Sequence, residues 1–222
     1  MPVVFPEAII VAILSIFLFL ALCGALVLIA VCMRRPATLP LVVAAGLVVS
    51  SLVIVSVAPI NVPTLMGLVI ALLGTAVAVL GGNPMTRRVL EIATHGRVRD
   101  GANGGIILDP STELRTSPST EPRTGPSTGL RTGAEAAGTA PAAKGEEVMR
   151  GGTTIGYLER LAVVVALIAG YPEAIAIVVA IKGVGRFSEL AAAEARERFI
   201  IGTMSSLLWA CVVGALVRLA IW

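Results

Sequence analysis

The stretch PATLPLVVAAGLVVSSLVIVSVAPINVPTLMGLVIALLGTAVAVLGGNPMT, residues 36–86, contains no charged side chain. Coiled as a helix at about 1.5 Å per residue it would run roughly 77 Å, more than twice the roughly 30 Å depth of a bilayer core. It therefore has to cross a membrane at least twice. Pro59, Asn61 and Pro63 mark the turn between the crossings. Backbone amides in lipid find no water to bond, so each crossing must be a helix. The pattern predicts helices over 38–58 and 64–82, the second ended by Gly81, Gly82, Asn83 and Pro84.

Upstream, an apolar run from Ala8 to Met33 predicts a helix over 7–32, stopped by Arg34, Arg35 and Pro36. It lacks a basic leader and is too long for a cleaved signal, so it is expected to remain as an anchor. Composition agrees: 56% of residues are hydrophobic and 14% charged, against about a quarter charged in soluble domains. The net charge is only +3. The arginines sit at the ends of apolar runs without interleaved aromatics, which excludes a nucleic-acid surface and makes the lipid bilayer the expected partner.

Residues 83–153 are expected to form a disordered linker. Three octads recur, starting at Pro110, Pro118 and Pro126, and none has an apolar face with which to build a core. Arg34, Arg35, Arg87, Arg88, Arg97 and Arg99 lie after the first and third helices, whereas the turn at 59–63 has no basic residue. By the positive-inside rule the linker is cytoplasmic and the N-terminus outside.

The C-terminal membrane half, 154–222, admits two readings around Tyr171, Pro172 and Glu173. One kinked helix would bury Glu173 at mid-membrane, at a cost of at least roughly 2.5–3.5 kcal/mol. A hairpin of two short helices, 155–170 and 172–186, would instead put Glu173 at the membrane surface and bring Glu159 level with Lys182 and Arg186. The hairpin is favoured. After an interfacial helix over 187–198, a span over 199–220, anchored by Arg218 and Trp222, is the sixth membrane segment; the single-helix alternative gives five. The fold class is thus an all-α polytopic transmembrane helical bundle.

The most chemically loaded set is Glu159, Arg160, Lys182, Arg186 and Glu189, expected to gather at the cytoplasmic interface. It would serve either as a salt-bridge network fixing depth and register or as a headgroup, anion or ion-coupling site. Together with Ile155-Gly156 and the Phe199-Ile200-Ile201-Gly202-Thr203 opening of the last span, these residues form a pattern, IGxLER, AxKxxxRFxE, FxIGTxxS. It resembles an uncharacterised family of bacterial polytopic membrane proteins over about 155–215. The resemblance implies that the charged residues belong to the family pattern, and it implies no activity.

Small residues at helical spacing make packing stripes: Gly67, Ala71 and Thr75; Gly74, Ala78 and Gly82; Ser206, Ala210 and Gly214. They are expected within the bundle or between copies in a homo-oligomer. His95 stands alone in the linker, and Cys23, Cys32 and Cys211 have no metal spacing, so no metal or cofactor is expected. No nucleophile–base set or phosphate loop is visible. The expectation is a non-enzymatic membrane protein, structural or accessory, that self-associates or binds a membrane partner. The alternative is a small transporter or channel subunit using the charged cluster.

Overall fold

The computed structural model describes residues 4–34, 38–57, 62–93, 152–185 and 193–222, and the side chains of all of these except 4–7 and 193–195. The described residues form six α-helices and no strand. They are α1 (Val4–Arg34), α2 (Thr38–Val57), α3 (Thr64–Ala93), α4 (Gly152–Ala169), α5 (Ala174–Gly185) and α6 (Ala193–Ile221). Five are long and apolar enough to cross a membrane; α5, at 12 residues, is not. The protein is an integral, multi-span helical membrane protein.

The membrane-spanning parts of α1, α2, α3 and α6 are largely apolar, and a buried seam runs along each. In α1 the seam is Ser15, Leu18, Leu22, Ala25, Ile29 and Cys32; in α2 it is Leu41, Ala44, Val48, Ser51 and Val55. In α3 it is Gly67, Ile70, Gly74, Val77 and Gly81, and in α6 Thr203, Ser206, Ala210, Val213, Val217 and Ala220. The alternating three- and four-residue spacing is that of knobs-into-holes packing. The opposite faces present Ile13, Leu20, Leu39, Leu68 and Leu208 outward, as lipid requires.

Helix α6 packs against α2, α3 and α4, while α1 closes the bundle over α2 and α3. Gly67 approaches Ile221, and Gly202 approaches Thr86 and Leu90, so α3 and α6 are antiparallel. Arg160 meets Ser206 and Leu167 meets Gly214, so α4 runs parallel to α6. The C-terminal ends of α1 and α3 and the N-terminal ends of α2, α4 and α6 therefore share one side of the bundle.

Residues 152–185 are two helices joined by a turn. The N–H of Gly170 donates to the Leu167 carbonyl at 3.1 Å, and that of Tyr171 to the Ala166 carbonyl at 2.8 Å. This is a Schellman closure, and it places Gly170 at φ +83°, where a side chain would be strained. Pro172 and Glu173 follow in the turn, with Glu173 exposed.

Several boundaries differ from the sequence pattern. Helix α3 does not stop at Gly82 but continues through Pro84 to Ala93. Pro84 lacks an N–H and so leaves the Leu80 carbonyl without its helical donor, yet the helix runs on for nine more residues. Residues 83–93 and 152–153, assigned to the linker, are helical. Residues 193–198 are the first turns of α6 rather than a separate interfacial helix. The octads, His95 and residues 187–192 lie outside the described residues.

A methyl group at Gly74 would overlap the buried, β-branched Val217 on α6, whereas one at Gly46 would meet nothing within 4 Å. Gly74→Ala should cost about 1–3 kcal/mol through overpacking. Gly46→Ala should leave thermal stability in detergent unchanged or slightly raised, as read by melting curves of the purified variants.

Candidate functional site

Glu159 and Arg160 lie midway along α4 and are among its most buried side chains, at 8% and 2% exposure. Successive helical residues point about 100° apart, so the two face different neighbours.

Arg160 faces α3 and α6. Its Nε donates to the Val79 carbonyl at 2.9 Å, one terminal nitrogen to Ser206 Oγ at 3.0 Å, and the other to Asn83 Oδ1 at 2.7 Å. The guanidinium also lies 5.2 Å from the Tyr157 ring centroid. No carboxylate pairs with it; the only ion pairs among the described residues are Glu159–Lys182 and Arg88–Glu91. The aliphatic end of Arg160 rests on Gly82, where any Cβ would overlap it. The Gly81–Pro84 sequence, which reads as a helix terminator, is instead the seat for this side chain. Beside it, Trp209 Nε1 on α6 donates to the Val77 carbonyl at 3.2 Å, with its ring over Gly81.

Glu159 faces α5 and forms an ion pair with Lys182, whose ammonium lies 6.0 Å from the Phe199 ring centroid. One carboxylate oxygen takes the lysine. The other, Oε1, is buried and accepts no hydrogen bond. The five-residue cluster is thus divided: Glu159 and Lys182 meet, and Arg160 turns away into the bundle. Arg186 and Glu189 lie outside the described residues. Arg160 is also deeper than an interface position, about 12 Å from the start of α4 at 1.5 Å per residue.

The small-residue stripes separate in the same way. Ser206, Ala210 and Gly214 are buried against α3 and α4, as are Gly74, Ala78 and Gly82 against α4 and α6. Gly67 touches Ile221, but Ala71 and Thr75 are only half-buried, and Thr75 Oγ1 bonds back to the Ala71 carbonyl at 2.7 Å. Arg218 donates to the Leu167 carbonyl at 3.0 Å, adding a donor to the end of α4 beyond its expected place as an anchor. Cys23, Cys32 and Cys211 are free thiols, and no three metal-ligating side chains gather among the described residues.

Sequence reasoning missed Asn83, Tyr157 and Trp209. Their signal was present: each is a polar or amphipathic residue within an apolar run, where it must find a partner.

No protein-family model matches the chain, and comparison with curated proteins and with solved structures finds no match either.

Arg160→Leu should strand the Val79 and Asn83 acceptors, at about 1–3 kcal/mol for each buried group left unsatisfied. Arg160→Lys should recover only part of this, because an ammonium lacks the planar fork. Adding Asn83→Leu to Arg160→Leu should restore stability relative to Arg160→Leu alone. Detergent melting curves of the three variants and the wild type check the order.

Proposed function

We propose that the chain is a non-enzymatic integral membrane protein, structural or accessory, that self-associates or binds another membrane protein. One observation carries this reading: each guanidinium nitrogen of Arg160 is committed to a neutral acceptor on α3 or α6. A charge that is 2% exposed and tied in this way to α3 and α6 holds helices together. The edge helix α5 gives further support, because it has no buried residue and leaves Ile177, Ile181 and Val184 outward. Its 12 residues extend about 18 Å, short of a bilayer core, so a companion on that side would complete the layer.

The proposed setting is a bacterial inner membrane with the Arg34 side cytoplasmic. Among the described residues Arg34, Arg87, Arg88, Arg196 and Arg198 lie on that side and Arg218 on the other, which is the asymmetry of the positive-inside rule. The N-terminus is then outside and segment 94–151 inside. The resemblance of residues 155–215 to a family of bacterial membrane proteins points the same way.

A second reading, a small transporter or channel subunit, is favoured by the unpartnered Glu159 Oε1. A buried carboxylate oxygen without a donor is where a proton or cation would be accepted.

The two readings part at the Glu159–Lys182 pair. On the structural reading Glu159→Gln should lower the amount of inserted protein several-fold, and Glu159→Lys combined with Lys182→Glu should restore it, as measured by membrane-fraction immunoblots. Proteoliposomes of the wild type should carry no ion flux above empty vesicles, and two differently tagged copies, or one copy and a companion, should co-purify in mild detergent. A Glu159→Gln protein that inserts normally and abolishes a wild-type flux would establish the transporter reading instead.

A further inference from the structure

At the end of the bundle opposite Arg34, Arg87 and Arg88, a cavity of about 420 Å³ opens where α4 and α6 end and α5 begins. Ile168, Ala169, Gly170, Tyr171, Arg218 and Trp222 line it. We propose that this cavity binds the phosphate of a phospholipid headgroup.

The donor set points to an anion. A guanidinium and an indole N–H only donate, and a phenol donates readily to a negative oxygen. Among the described residues Arg218 pairs with no carboxylate; its one hydrogen bond is from a single terminal nitrogen to Leu167. The guanidinium has five N–H groups, so the remaining ones can meet a phosphate in the paired geometry that suits arginine. Among the described residues nothing bonds the Tyr171 hydroxyl or the Trp222 indole N–H, and the two residues are 70% and 78% exposed. No acidic side chain lines the cavity.

The apolar part of the wall points to a lipid rather than a free phosphate. Ile168 and Ala169 continue onto Val165, which is 54% exposed on the outer surface of α4, and Leu219 is 45% exposed beside Arg218. An acyl chain can descend along this surface while its phosphate stays at the guanidinium. Tyrosine and tryptophan at such a rim are the residues of the membrane–water interface, where headgroups lie.

The full-length protein, purified in maltoside detergent and phosphate-free buffer, is titrated with dihexanoyl-phosphatidylglycerol and read by native mass spectrometry. One molecule should bind per chain. Dihexanoylglycerol, which lacks the phosphate, and inorganic phosphate should each bind roughly tenfold more weakly or less. Arg218→Gln should weaken lipid binding about tenfold or more, and Tyr171→Phe with Trp222→Phe several-fold. Equal binding of dihexanoylglycerol overturns the phosphate site, and equally tight inorganic phosphate overturns the lipid as its occupant. Because Arg218 also bonds α4, an Arg218→Gln protein that misfolds leaves the decision to the double aromatic variant, altered only at exposed side chains, and undiminished binding by that variant overturns the proposal.

Discussion

The Arg160 guanidinium joins three helices at one point, and much of the bundle is arranged to receive it. Inside a bilayer, apolar side chains gain little from leaving lipid for protein, so helices associate through close packing and polar ties. A buried cation without a carboxylate is costly, by several kcal/mol even after relaxation. Here three hydrogen bonds and the face of Tyr157 offset that cost. They do so only because Gly82 lets the side chain lie against the α3 backbone and Pro84 is followed by uninterrupted helix. Removing this one side chain would take away a tie from α4 to α3 and a tie from α4 to α6 together.

The preceding residue has a different duty. Glu159 is a single rotation step around α4, and that step separates an inner task from an outer one. Arg160 belongs to the bundle of long helices. Glu159 belongs to the hairpin, where its pair with Lys182 and the Schellman turn at Gly170 set α5 beside α4. One end of α5 is thus set by backbone geometry and the other by charge.

Much of the architecture was legible because long charge-free runs have few physical solutions. The start of α2 at Thr38 and of α3 at Thr64 could be read from the chain, and so could the turn at Tyr171 through Glu173, because those boundaries coincide with charges or prolines facing water. The end of α3 was not legible. Gly81, Gly82, Asn83 and Pro84 form a stop signal in an isolated helix, and only the arrival of Arg160 and Trp209 from other helices changes their meaning. The pairing of Glu159 with Lys182 followed from charge and the fold-back of the chain. The direction of Arg160 did not, because α4 is apolar on several sides and its partners are neutral. The buried seams were equally hidden: a helix that is hydrophobic all round does not announce which face meets protein and which meets lipid.

The contact between Asn83 and Arg160 also fixes where the intervening polypeptide departs and returns. From that contact α3 extends ten residues to Ala93, about 15 Å, and α4 reaches back eight to Gly152, about 12 Å. The two stubs are adjacent helices ending at nearly one height, so the chain leaves and re-enters the bundle at neighbouring points. Closing a chain between fixed ends depends on its length only logarithmically, about 0.6 kcal/mol per doubling for a flexible one. For the disordered linker that the octads' composition predicts, duplication or loss of an eight-residue unit starting at Pro110, Pro118 or Pro126 would change that closure cost little.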